Sequence, residues 1–485
     1  MRILMRPHLK EENRINIVES VRLIYDFFKV GLRMKKENSM LNGKILFSIV
    51  IFALPLLGSS IVQQLYNTAD LLFVSNCAGK TAAAAVGASG LIFTCLIGVC
   101  TGLSVGVNIL VARAVGEEKP DYAKYVSQTA VIISFVTGVL LSVIGLAAAK
   151  PVLRLMQTPE TILPEALVYL RTYLFSMPFM VIYNMGSSVL RGYGNSKTPF
   201  LILVAGGCAN VCADFVFVSV FQWGVFGAAL ATLICQGISS TLILIVLFCG
   251  KDGVCVAGNW KMPDGRILRK ILVLSVPVAV QAIVVTLSNI IVQSYINSYG
   301  EDTIAAFAAY FRIECFIYLP LVAIGQAMTT FVGQNAGAGN YQRIKKGATS
   351  SACLCAVLAF GVGMVLILAH ETVFGWFLKD PAVIEIGGQI VSLTFPLYWL
   401  YGVLEVFSGA MKGLGKTMTS MCITFGVLCA GRVLYLIVTG FFFHGVKVVA
   451  AVYPLTWGCA ALLFMLLFYI YIQKKLCNVA VKTGN

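Results

Sequence analysis

Residues 53–76 read ALPLLGSSIVQQLYNTADLLFVSN. The stretch is long and apolar enough to belong to a bilayer-spanning helix, which needs ~20 mostly apolar residues. Yet it carries a proline, Pro55, and a carboxylate, Asp70. The same pattern returns at residues 275–298 as SVPVAVQAIVVTLSNIIVQSYINS, a shift of 222 residues. Pro55, Ile61, Val62, Leu65 and Asn67 recur as Pro277, Ile283, Val284, Leu287 and Asn289. Thr81, Ala83 and Ala84 recur as Thr303, Ala305 and Ala306. Further along, at a shift of 221, Gly192, Gly194, Thr198 and Gly224 recur as Gly413, Gly415, Thr419 and Gly445. The chain is a tandem repeat. An even number of spans per copy would relate the copies by an axis along the membrane normal, a transporter architecture.

The remaining sequence extends that reading. Of 485 residues, 59% are hydrophobic and 12% charged, against about 45–50% and ~25% in soluble domains. This excludes a water-soluble enzyme, a nucleic-acid binder and a disordered chain. Twelve apolar runs are long enough to span, at roughly 46–75, 81–112, 126–149, 164–188, 198–221, 225–249, 267–297, 303–333, 348–369, 386–410, 418–442 and 448–473. The expected fold class is an all-α integral membrane protein of twelve transmembrane helices in two pseudo-symmetric six-helix lobes. Its expected divisions are a basic cytoplasmic N-terminal extension (1–45), an N-lobe (46–250), a cytoplasmic linker (251–266), a C-lobe (267–475) and a cytoplasmic tail (476–485).

Basic residues orient the spans. With the N-terminus inside, the cytoplasmic segments carry 28 Lys and Arg and the outer loops five, while Arg171, Arg312 and Arg432 lie within runs. Lys and Arg collect on the cytoplasmic side, so both termini are expected in the cytoplasm and the protein in the cell membrane. Residues 15–33 mix apolar and basic positions, as a helix lying on the inner leaflet would. An equally open reading is a dispensable extension, with translation starting at Met34 or Met40. The long basic stretch lacks the form of a secretory signal.

Several chemistries lack their residues. The fifteen cysteines sit mostly in apolar runs and suggest free packing thiols rather than a disulfide framework. His8, His370 and His444 form no zinc-binding pattern. Gly413–Thr417 resembles the tail of a phosphate-binding loop, but Ala410 stands where its first glycine belongs. ATP is therefore not expected as the energy source, nor nucleic acid as a partner, nor any cofactor, nor an enzymatic activity. The expected partners are the bilayer and small molecules, and the expected state is a monomer.

Polar groups inside the runs carry the functional reading, since a buried carboxylate costs about 3 kcal/mol or more. Counting ~1.5 Å per residue, Asp70 lies ~8 Å and Asp214 ~10 Å below the outer face, with Thr232 at a similar depth. Asn210 is one turn deeper on the same helix face as Asp214. These four oxygen-bearing side chains suit a hard monovalent cation, Na+, or a proton. Aspartates that lie close together would titrate as a pair. The alternative is that Asn210 and Asp214 only join helices by hydrogen bonds. In the second half, Arg312, Glu314 and Arg432 form either an ion pair or a polar wall of a central cleft. Glu405 lies nearer the cytoplasm, where it either snorkels or touches substrate. Pro55, Pro178, Pro277, Pro320 and Pro396 are candidate kinks. Pro55 shares a helix with Asp70 and could couple bending to ion capture.

Ala53-Leu54-Pro55 followed by Tyr66-Asn67-Thr68-Ala69-Asp70 is similar to the opening of the MATE (multidrug and toxic compound extrusion) transporters, in bacterial-type form. Arg191-Gly192-Tyr193-Gly194, Lys197-Thr198-Pro199, Gly227–Thr232 and Gly333–Tyr341 also resemble the family. The likeness runs from about Leu41 to the last apolar run. It implies a secondary antiporter exporting amphipathic, cationic organic compounds in exchange for Na+ or H+. It also places Asp70, Asn210, Asp214 and Thr232 at the coupling site. Some relatives carry an acidic residue near Val285, and this chain does not. A lipid-linked oligosaccharide flippase of related fold is the competing reading, favoured by Arg312 and Arg432 and opposed by the aspartates.

Overall fold

The computed structural model describes residues 40–250, 256–257, 264–442 and 445–483. The N-terminal extension and most of the linker therefore lie outside the described residues. The first half contains α1 (Ile45–Cys77), α2 (Lys80–Gly116), α3 (Pro120–Leu155), α4 (Leu163–Leu174), α5 (Met177–Gly192), α6 (Lys197–Asp214) and α7 (Gly224–Cys249). The second contains α8 (Gly265–Asn297), α9 (Glu301–Gly337), α10 (Tyr341–Leu368), the short α11 (His370–Gly375), α12 (Pro381–Thr394), α13 (Trp399–Gly413), α14 (Thr417–Ile423), α15 (Arg432–Phe442) and α16 (Val446–Thr483). Ten continuous stretches are long and apolar enough to cross a membrane. The pairs α4–α5 and α12–α13 supply two more, so the chain has twelve spans in two lobes.

Those two pairs fall in the apolar runs 164–188 and 386–410, at two of the five candidate kinks, Pro178 and Pro396. They bend by 45° and 48°, with Pro178 opening α5 and Pro396 in the 3-10 turn between α12 and α13. By contrast Pro55, Pro277 and Pro320 sit inside continuous helices. A proline removes one N–H bond wherever it falls; only at 178 and 396 does the span break. Two spans also carry π-helical turns, Phe215–Val220 after α6 and Thr424–Gly431 between α14 and α15.

Each lobe has its own apolar core, and the first helix of each half straddles both. Ile49, Phe52 and Leu56 of α1 pack into the C-lobe core, whereas Tyr66 and Val74 belong to the N-lobe core. Reciprocally, Ile267 and Ile271 of α8 pack into the N-lobe core, while Val292 and Ile296 join the C-lobe. The end of the molecule where α1, α3, α8 and α10 begin, rich in Lys and Arg, is here the basic end.

The lobes are joined toward that end. Along α2, Gly87 and Gly90 have open space around them. A Cβ on Gly102 would lie 2.6 Å from the Ala279 backbone, and one on Gly106 2.2 Å from Ser275 Oγ. Only glycine permits that approach of α2 to α8, where Ser275 donates to the Leu103 carbonyl at 2.6 Å. Nearer the basic end, Asn108 and Thr330 face each other across the pseudo-axis, one repeat spacing apart, and share two 3.1 Å contacts. Gln334 donates to the Gly192 carbonyl at 2.9 Å.

Candidate functional site

α1 delivers Asp70, α6 delivers Asn210 and Asp214, and α7 delivers Thr232; all four are buried. The four expected residues are thus brought together. Thr232 Oγ1 donates to Asp70 Oδ2 at 3.4 Å, a long bond, while also reaching the Ala228 carbonyl at 3.2 Å. Asp70 interacts with Asp214 and Asn210 as well. Even so, Asp70 Oδ1, both Asp214 carboxylate oxygens and both polar atoms of Asn210 are buried without a hydrogen-bond partner among the described residues. Such atoms ordinarily find partners, and orphaning one costs about 1–3 kcal/mol.

The donor set is chemically specific. Two carboxylates, an amide and a hydroxyl are hard oxygen ligands, suited to Na+ or a proton and not to a soft transition metal. Among the described residues no three His, Cys, Asp or Glu gather as metal ligands. Asp214 ends α6, where the backbone passes into the π turn Phe215–Val220; such turns recur at functional sites.

Sequence reasoning missed the surrounding wall. Tyr66, one turn before Asp70, is buried beside it, and Tyr169 and Tyr173 lie within electrostatic reach of the aspartates. Phe93 covers both tyrosines, at ring distances of 5.3 and 4.1 Å. The i, i+4 spacing of Tyr66 and Asp70 was a readable signal; the α4 tyrosines had none.

The C-lobe residues are arranged differently. Glu314 accepts a 2.7 Å hydrogen bond from Tyr398, and Glu405 a 2.9 Å bond from Tyr401. Both carboxylates are half-buried. Trp457 packs edge-on against both tyrosines, and Tyr318 stacks on Tyr401 at 5.5 Å. Arg432 is buried, donating to Asn289 at 2.9 Å and Thr456 at 3.3 Å, with its guanidinium over the Tyr453 ring. It acts on Glu314 through space, but no ion pair joins them among the described residues. The ion pairs there are Arg113–Glu117, Lys119–Glu117 and Arg154–Glu160. Neutral partners hold Arg432, so of the two alternatives the ion pair is not formed among the described residues. Arg312 points elsewhere, exposed and over Phe377.

The sequence profile of the MatE family matches residues 55–216 and 277–437. The chain belongs to the MATE family of transporters. The two matched stretches begin at the spacing of the internal repeat. Among MATE relatives, the probable multidrug resistance protein YoeA of Bacillus subtilis is 30% identical over 76% of this chain and 82% of its own length. A second probable multidrug resistance protein of that organism, YpnP, is 28% identical over 79% and 86%. The solved structure of a multidrug resistance MATE family transporter in an outward-facing conformation superposes with a TM-score of 0.85 at 24% identity, covering 91% of this chain and 99% of that one. The MATE fold is therefore shown, and the chain is a multi-pass membrane transporter.

Proposed function

We propose that this MATE transporter is a secondary antiporter that exports amphipathic organic cations in exchange for Na+ or H+. The observation that carries the reading is the set of orphaned oxygens on Asp70, Asn210 and Asp214. A captured cation or proton would satisfy groups that the protein itself leaves unpaired. The capture joins α1 to α6 and α7, and α1 also reaches into the C-lobe core. Ion binding therefore acts on a helix that packs into both lobes. Glu314 and Glu405 supply charge, and the neighbouring faces of Tyr398, Tyr401 and Trp457 supply cation–π attraction, for an organic cation in the cleft.

With the basic end in the cytoplasm, the seam at Gly102, Gly106, Asn108 and Thr330 closes the inner side of the cleft. Exchange then proceeds by rocking of the lobes about that seam. The oligosaccharide flippase reading has less support, because Arg432 is committed to Asn289, Thr456 and Tyr453 and Arg312 points away. The decisive experiment is transport of a fluorescent organic cation by the purified protein in sealed vesicles, with a sodium gradient and a pH gradient imposed separately. One gradient should drive it; transport with neither would overturn the reading.

A further inference from the structure

A second candidate site lies at the basic end of the C-lobe, away from the aspartates. There α1, α10 and the end of α16 border an open cavity of about 790 Å³, lined in part by Ile45, Tyr341, Arg343, Lys346, Leu476 and Cys477. Among the described residues, none that lines it is acidic. A cavity at the opposite end, of about 880 Å³, is lined by Glu371 and Glu385 as well as His370 and Lys447. The two cavities are alike in size, but among the described residues only the second carries carboxylates in its lining.

Three features of the basic cavity point to one ligand chemistry. Lys346 is exposed and has no hydrogen-bond or ion-pair partner among the described residues. The cavity also takes in the start of α10, whose first amides no side chain caps and which favours anions. Finally, its walls are amphipathic. Ile45 and Leu476 line it, and the same helices present exposed Phe47 and Leu54 on α1 and Leu466 and Ile470 on α16. A free anion has no use for such a margin, whereas acyl chains do. Lysines are already held over tyrosines along this rim, Lys345 over Tyr469 and Lys475 over Tyr471, as at a membrane–water boundary.

We infer that this cavity binds the phosphate headgroup of an acidic phospholipid, with Lys346 and Arg343 facing the phosphate and the chains lying along α1 and α16. Basic pockets between transmembrane helices recognise such headgroups. Arg343 also donates to the carbonyls of Met40 and Gly43, and Asn335 to Met40 at 3.2 Å. A bound headgroup therefore braces the base of α1, the helix that carries Asp70. This inference stands independently of the transported substrate and of the coupling ion.

The test uses the full chain purified in a neutral detergent and titrated with short-chain phosphatidylglycerol, short-chain phosphatidylcholine or inorganic phosphate. The readout is the thermal unfolding midpoint. Phosphatidylglycerol should raise the midpoint while the other two do not. Lys346→Gln should need about fivefold more phosphatidylglycerol for the same rise, and Lys346→Arg should restore it. Lys447→Gln, in the other cavity, should titrate as the unmodified protein does. Equal titration of Lys346→Gln and the unmodified protein would overturn the site. A full effect from inorganic phosphate would overturn the lipid assignment in favour of a free-anion site, and a full effect from phosphatidylcholine would remove the role of charge. Lys346 is exposed, so the substitution does not threaten folding.

Discussion

Both lobes hold two carboxylates within their membrane spans, yet they treat them in opposite ways. In the C-lobe, Glu314 and Glu405 each accept a short bond from a tyrosine, and Arg432 and Lys412 act on them from nearby. In the N-lobe, Asp70 and Asp214 face one another and an amide, with five polar atoms unpaired. The repeat makes the contrast sharper. At its spacing Asn184 stands where Glu405 does, and Tyr453 where Thr232 does. One scaffold therefore supports a satisfied pair of carboxylates and an unsatisfied pair. Unpaired buried groups cost stability, so a transporter gains from leaving them so only if something arrives to pair them.

The largest expected effect breaks this contrast at its unsatisfied side. Asp70→Asn should reduce gradient-driven export to background in sealed vesicles while leaving the protein folded and inserted, and Asp214→Asn should do the same. In the proposed mechanism the pair, rather than either group, receives the charge, so loss of either should be equally severe. Unchanged export in Asp70→Asn would remove the N-lobe cluster from the mechanism.

Next comes a change on the satisfied side. Tyr398→Phe deletes the hydroxyl that donates to Glu314 and leaves a half-buried carboxylate short of a partner. The loss should be about 1.5–3 kcal/mol, the range for bonds to charged groups, read as a lower unfolding midpoint with gradient coupling intact. Coupling lost at normal stability would mean that the C-lobe carboxylates carry the ion. Smaller again is Thr232→Val. Its bond to Asp70 is long at 3.4 Å, so losing it should cost stability only about 1 kcal/mol, the low end for leaving a buried oxygen without its donor. With sodium as the coupling ion, the hydroxyl would be one of few oxygen ligands, and its loss should weaken sodium binding about fivefold, or ~1 kcal/mol. Sodium-dependent stabilisation of the purified protein measures it, and no change would exclude Thr232 from the ligand set.

The depth of the N-lobe cluster was legible because it follows from counting residues inward from helix ends. Asp70, Asp214 and Thr232 lie at one level whatever the rotation of their helices. Most helix limits were legible for a similar reason: α7 runs over Gly224–Cys249 where hydropathy sets 225–249. Side-chain direction was not legible. Arg312 and Glu314 are two residues apart, yet one turns to Phe377 and the other to Tyr398. Which proline breaks a span was equally hidden, since Pro55 and Pro178 sit in comparable apolar runs. The difference resides in how the flanking turns pack, as does the π turn after Asp214. Rotation and packing belong to the assembled lobe and leave little local trace.

Glu314→Gln is the mildest change and the one that separates a structural carboxylate from a substrate contact. Glutamine keeps the side-chain length and an oxygen able to accept the Tyr398 hydroxyl, so the tyrosine need not lose its partner. No ion pair is broken, because Arg432 is held by Asn289 and Thr456. Folded yield should therefore stay near normal, with stability lower by about 1 kcal/mol as the bond to Tyr398 changes from charge-assisted to neutral. What the substitution does remove is a negative charge beside the aromatic faces of Tyr398 and Trp457. Export of singly charged cations should then weaken relative to neutral or zwitterionic compounds of similar size, while the sodium or proton dependence stays as it was. A comparison of apparent affinities across such a matched compound set reads this directly. A collapse in folded yield, with preference unchanged among the molecules that do fold, would instead assign Glu314 to the architecture of the C-lobe.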